Sequence, residues 1–194
     1  MKDLMASLKP YYYYLIGEGI KKWEVRKNAP KAEDWSRKVN FYMSKDEKSF
    51  AKIPKEFQEK YRKHFGKVGL RVIVDWIDII ECDSNSHLYF SLNGTCLSQE
   101  EIRDYCNGQD LSAWHIYDKL ILDKPKELSE FYVEGDCDCM NCRNCAWFDR
   151  GNGFNVEDDC NLAYKGVEEH KAYKPIKRPP QSWCYCEELK GETE

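Results

Sequence analysis

Two groups of residues in this 194-residue chain have the types and spacing to do chemistry. The first is Lys21, Glu24 and Arg26, in the run Gly19-Ile20-Lys21-Lys22-Trp23-Glu24-Val25-Arg26. Glu24 and Arg26 are two apart, so on a strand both project from one face. A guanidinium there can grip a phosphate bidentately, and a carboxylate can accept from an exocyclic amine or fix the arginine. Lys21 adds a cation just before the strand. The bland alternative is a cross-face ion pair contributing little. The second group is Cys139-x-x-Cys142-x-x-Cys145 followed by Cys160. These are four soft thiolates at zinc-compatible spacing. Cys137 competes for one of the four places, and His170 is a more distant donor. A closed thiolate shell leaves no open position, so a structural Zn2+ is expected rather than metal catalysis, with an iron–sulfur cluster as second choice. Unliganded loop thiols are the plain alternative.

Other residues carry weaker signals. Trp114-His115 on an expected strand offers a stacking ring and a hydrogen-bonding or acid–base imidazole, or else a core tryptophan beside a satisfied histidine. Trp183 has the same two readings. Ser44-Lys45, at a strand end, offers phosphate contacts or simply a solvated loop. Tyr11 to Tyr14 read as one helix turn, part packed and part exposed. Cys184 and Cys186 share one face of the last strand as packing residues. Cys82, Cys96 and Cys106 receive no role. No phosphate-binding glycine loop and no nucleophile elbow occurs.

The elements that must position these residues follow from periodicity. Pro10 opens a helix that Gly17 and Gly19 close. Residues 22–27 alternate as a half-buried strand, and Val39 to Met43 form another. Ile53, Phe57, Tyr61 and Phe65 recur every four residues on a helix opened by Pro54 and stopped by Gly66. Residues 67–80 are rich in β-branched types and form a long strand. Residues 83–95 form a loop or hairpin turn with Asn93-Gly94. Ser98 and Glu101 make a capping box for a helix ended by Gly108. Residues 112–122 are strand, Pro125 to Phe131 one helical turn, and Gln181 to Leu189 a last strand. Strands that do not alternate with helices argue against a doubly wound parallel sheet.

The joint order of Ser7-Leu8-Lys9-Pro10, the Gly19–Lys27 run, Ala113-Trp114-His115-Ile116, Asp123 to Phe131, and Pro179-Pro180-Gln181-Ser182-Trp183-Cys184-Tyr185 resembles the ASCH domain family of the PUA-like superfamily, in its bacterial and phage members. The resemblance implies an α+β fold: a small PUA-like mixed β-barrel with peripheral helices, here carrying a Cys-rich, metal-stapled insertion. The expected organisation is a barrel over 1–133, the insertion over 134–178, and a final strand with a tail over 179–194. It implies binding of RNA, single-stranded nucleic acid or a nucleotide, including a modified base, with Lys9, Lys21, Glu24, Arg26, Ser44, Lys45, Trp114, His115 and Trp183 as ligand contacts. Some relatives are enzymes, an N4-acetylcytidine amidohydrolase and reported ribonucleases. That makes Lys21 and Glu24 catalytic candidates and Glu100 or Glu101 the counterpart of a distal glutamate. The amidohydrolases, however, use a threonine nucleophile where this chain has Glu24, and a carboxylate is a poor substitute for an activated hydroxyl. A protein-interaction factor of phage or mobile-element type is the third expectation.

Composition bounds these readings. Hydrophobic residues make up 42% of the chain, enough for a packed core. No run approaches the length of a membrane span and no signal-peptide pattern opens the sequence, so the expectation is a cytoplasmic protein. Charge is segregated: residues 1–71 hold 18 Lys+Arg against 9 Asp+Glu, and residues 72–194 hold 12 against 25. A basic N-terminal part suits phosphates, while chance segregation on a solvated surface is the alternative. If the cysteine cluster is a structural site, elemental analysis of purified protein finds one zinc per chain, and chelation lowers the thermal midpoint. No bound metal and an unchanged midpoint after chelation would remove the site.

Overall fold

The structure, a computed structural model, describes residues 3–30, 37–82, 92–136 and 171–188. Among the described residues, eight strands form one mixed sheet in the order β2-β5-β4-β3-β1-β8-β6-β7. These are β1 (Asp3–Leu8), β2 (Trp23–Arg26), β3 (Arg37–Met43), β4 (Val68–Ile80), β5 (Leu111–Lys126), β6 (Phe131–Asp136), β7 (Lys171–Pro175) and β8 (Trp183–Glu188). The described helices are α1 (Pro10–Gly17), α2 (Glu47–Phe50), α3 (Lys55–Arg62) and α4 (Gln99–Cys106). β1 runs parallel to β3, and the other pairs are antiparallel. The α+β class and mixed sheet are as expected. The barrel is not closed by hydrogen-bonded strands, because β2 and β7 remain the two ends of the order.

Local chemistry accounts for most boundaries. Pro10 occupies the first turn of α1, where its missing N–H costs nothing. Gly19, at φ +75°, then turns the chain so that Ile20 and Lys21 both donate to Leu15 O. Ser98 and Glu101 form the reciprocal capping box of α4, and Asn107 ends that helix in the left-handed region. The Asn93-Gly94 turn docks on β2, with Gly94 O accepting from Lys22 N and Trp23 N. Two expectations need correction. β5 continues through Pro125 to Lys126, and the helical turn expected from Pro125 shrinks to a 3-10 turn at Leu128–Glu130. Strand β1 was not expected, since its apolar run shows no clean alternation; β7 forms within the stretch bounded above as 134–178 and pairs with β6.

The main core lies between α1, α3 and one face of β1, β3, β4 and β5. Tyr13, Ile16, Phe41, Tyr61, Leu70 and Trp114 pack there. A second cluster around Met5, Phe131 and Cys186 sits on the other side, with Cys184 against it, as expected for these two cysteines. A third, formed by Val25, Ile80, Ile102, Cys106, Leu111 and Ala113, attaches α4 to the β2–β5–β4 end of the sheet.

His64 is the one fully buried imidazole among the described residues. It meets Tyr13 Oη through Nδ1 at 3.1 Å and packs on Gly69, where an added Cβ would collide with the ring. Burial, followed by Lys63 and Lys60 nearby, pushes its pKa down from 6.5 to about 4. The fold therefore holds His64 neutral while the unfolded chain takes a proton. The stability involved is present above pH 6.5 and is lost as pH falls towards 4. Urea denaturation of wild type is expected to lose roughly 2 kcal/mol more than that of His64→Gln between pH 7 and pH 4. Parallel pH profiles would show that His64 is not held neutral.

Candidate functional site

The cleft lies between the end strand β2 and the C-terminal end of β1, and residues of α4 complete its lining. Its volume is about 450 Å³, with Lys9, Tyr12, Lys21, Glu24, Glu101 and Tyr105 prominent in its lining. Each element contributes for a local reason. The glycine turn after α1 drops Lys21 inward, where it is 2% exposed. Alternation in β2 sends Glu24 and Arg26 inward while Val25 joins the α4 cluster. The 3.6-residue repeat of α4 brings Glu101, Asp104 and Tyr105 to one face.

Lys21, Glu24 and Arg26 form a connected buried network. Lys21 Nζ donates to Thr95 O, lies 3.7 Å from Glu24 Oε2, and faces the Tyr12 ring at 5.4 Å. Glu24 Oε1 is 2.9 Å from Arg26 Nε, in ion-pair contact but without the alignment of a hydrogen bond. Arg26 then reaches across the opening: one terminal nitrogen donates to Ser7 O at 2.7 Å, and the other to Ser182 O at 3.0 Å. Trp183 Nε1 adds a second bridge, donating to Asn28 O at 3.1 Å. The guanidinium is thus a clasp between β2 and the β1–β8 side of the sheet. Binding a phosphate bidentately, the role expected from sequence, would require it to give up these carbonyls.

Desolvation lowers the Lys21 pKa, opposed by the Glu24 carboxylate. Burial raises the Tyr12 phenol, with Glu101 and Glu24 adding to the effect. Burial also raises Tyr105. A partly desolvated ammonium beside a carboxylate can donate and accept hydrogen bonds side by side, and the pair has the elements of acid–base chemistry.

The structure gathers Lys9, Lys21, Glu24 and Arg26 at the cleft and separates the other expected contacts from it. Trp114 is wholly buried in the main core, meeting Trp183 edge-on at 6.4 Å. His115 faces the opposite side of β5, against Trp23. Ser44 and Lys45 lie outside the lining, with Lys45 packed over Gly66. Glu101 reaches the cleft and Glu100 is not among its lining residues. Tyr12, Asp104 and Tyr105 escaped the sequence reading. The last two could have been found from the 101/104/105 helical spacing. Cys137, Cys139, Cys142, Cys145, Cys160 and His170 lie outside the described residues. Among the described residues no group of three or more His, Cys, Asp or Glu side chains could hold a metal ion, and no helix is long and apolar enough to cross a membrane.

No family model and no curated protein matches the chain. Solved structures do. The chain is similar to ASCH from Zymomonas mobilis. That crystal structure is 21% identical, matches 64% of this chain and 70% of its own, and superposes with a TM-score of 0.42. Its tyrosine-to-phenylalanine mutant gives 20%, 64%, 73% and 0.44, and its serine-to-alanine mutant 22%, 64%, 70% and 0.40.

Replacing Arg26 removes the clasp and leaves Glu24 with Lys21 alone. Arg26→Ala is expected to destabilise by about 3 kcal/mol in urea denaturation, in the range for breaking a buried ion pair. Arg26→Lys is expected to recover little, because an ammonium cannot span two carbonyls and a carboxylate as a planar fork does. Wild-type stability in both variants would refute the clasp.

Proposed function

We propose that the cleft binds a nucleobase, as part of a nucleotide or of a single-stranded nucleic acid. The observation that carries this reading is the side-by-side donor and acceptor, Lys21 Nζ and Glu24 Oε2, at 3.7 Å on the floor of a cleft walled by Tyr12 and Tyr105. A heterocycle with an amine beside a carbonyl or ring nitrogen matches that floor, and its faces suit the tyrosine rings. The volume falls within the usual range for small-ligand sites. The lining holds three cations (Lys9, Lys21, Arg26) and three carboxylates (Glu24, Glu101, Asp104). A balanced lining favours a polar heterocycle over bare phosphate, so the sugar and the phosphates it carries would lie outside the cleft.

The depressed Lys21 beside Glu24 supports a second reading, in which the same cleft acts on the base or its acyl substituent by general acid–base chemistry. The cysteine-bound zinc is a separate proposal and takes no part in either.

Anisotropy and calorimetric titrations with nucleosides and short single-stranded RNA and DNA at two salt concentrations test the binding reading. Saturable binding is expected, with Tyr105→Ala weakening it about tenfold, within the range for one stacked base. No saturable binding of any nucleoside or oligonucleotide, or a Tyr105→Ala variant that binds normally, would overturn it. Chemical change of the bound nucleoside, followed by mass spectrometry and lost in Lys21→Met, would favour the second reading.

A further inference from the structure

Trp23, His115 and Trp76 stand in one lateral row across β2, β5 and β4: His115 is the register partner of Trp23 on one side and of Trp76 on the other. The row lies on the face of the sheet opposite Trp114 and the cleft floor. The Trp23 and His115 rings are 4.8 Å apart, and Asp75 Oδ1 fixes the imidazole at 2.7 Å through Nδ1. A register irregularity between Val74 and Trp76 accompanies this arrangement. Val74 and Ile77 both pack on the main core, so the two residues between them, Asp75 and Trp76, are left for the outer face, as at a β-bulge. Trp76 is 51% exposed there. Asp78, two residues on, shares that face and is also exposed.

We propose that this row is a docking site for an arginine-bearing segment of a partner polypeptide. Charge and ring chemistry select that occupant. Asp78 has no cationic partner among the described residues: one of its oxygens accepts from Ile79 N at 2.8 Å. Asp75 is held by His115 and is itself 38% exposed. A guanidinium stacks on an indole face and pairs with a carboxylate through its planar fork, which an ammonium does less well. Half-exposed Trp76 flanked by Asp75 and Asp78 presents both features at once. A nucleic acid would find the indole face equally good for stacking, but its phosphates would approach two carboxylates. Tyr117, 73% exposed two residues beyond His115, extends the aromatic surface along β5. This site is independent of the nucleobase cleft, and neither stands or falls with the other.

The test is an anisotropy titration of the full chain with a labelled acetyl-(Gly-Arg)3 amide, beside the same peptide carrying citrulline and a labelled single-stranded RNA. Trp76→Ala and Asp78→Asn are exposed substitutions, and unchanged thermal unfolding would confirm that both fold. Saturable peptide binding is expected, weakened about fivefold or more by Trp76→Ala, about threefold by Asp78→Asn, and lost with citrulline. Peptide binding unchanged in both variants would place the peptide elsewhere on the acidic surface and overturn the proposal. So would the absence of binding, or a Trp76→Ala defect confined to RNA.

Discussion

The structure depends on one cation that is neither exposed nor free. Arg26 sits at the end of a four-residue strand, is 5% exposed, and spends its guanidinium on Glu24 and on two carbonyls from distant parts of the chain. β1 already has ladder partners on both sides, β3 and β8, and β2 is an end of the sheet paired with β5 alone. Here a side chain joins the two strands where no ladder does, and the residues it joins line the cleft.

Burying three charged groups together is costly, and such networks often contribute little net stability compared with an apolar filling. Their value lies in specificity of arrangement. Lys21 is held by Thr95 O and Glu24, and Arg26 by Ser7 O and Ser182 O. The two cations confine the carboxylate between them to one position. A hydrophobic plug at these sites would pack, but it would not fix the distance between β2 and β1 or leave a hydrogen-bonding floor. The third hydrophobic cluster does the complementary work: Val25, from the opposite face of β2, anchors α4 through Ile102 and Cys106. The same four residues of β2 therefore position the floor with one face and the lid with the other.

The parts of this arrangement that were legible in the sequence are those written in local spacing. Pro10, Gly19, the Ser98–Glu101 box and the alternation of residues 22–27 each specify an element within a few residues. The Glu24–Arg26 pairing was visible because it is a two-residue spacing on a strand. What could not be read was where Arg26 ends: its carbonyl partners are 19 and 156 positions away. Strand β1 was missed for a related reason. It is flanked by two partners, is buried almost throughout, and so lacks the alternation that marks a half-exposed strand. His115 and Trp114 were read as one pair, yet adjacent strand residues face opposite sides, and the structure sends one to the core and the other to the outer surface.

The charge segregation of the chain has a limited meaning at the cleft. An excess of nine positive charges in residues 1–71 suggests a basic site, but the cleft draws Lys9, Lys21 and Arg26 from that region and Glu101 and Asp104 from beyond it. Folding places acidic α4 over a basic floor and cancels the bias locally. Several remaining N-terminal lysines are tied to structure elsewhere: Lys60 pairs with Glu18 at 2.6 Å, Lys67 with Glu127 at 2.8 Å, and Lys63 donates to Asp123 O at 3.1 Å. Such exposed pairs contribute little to stability, yet they lower the density of unpaired cations facing solvent. A ligand bound as proposed would then be discriminated by the shape and hydrogen-bond pattern of its uncharged part, and screening by salt would reach only the portion that protrudes from the cleft.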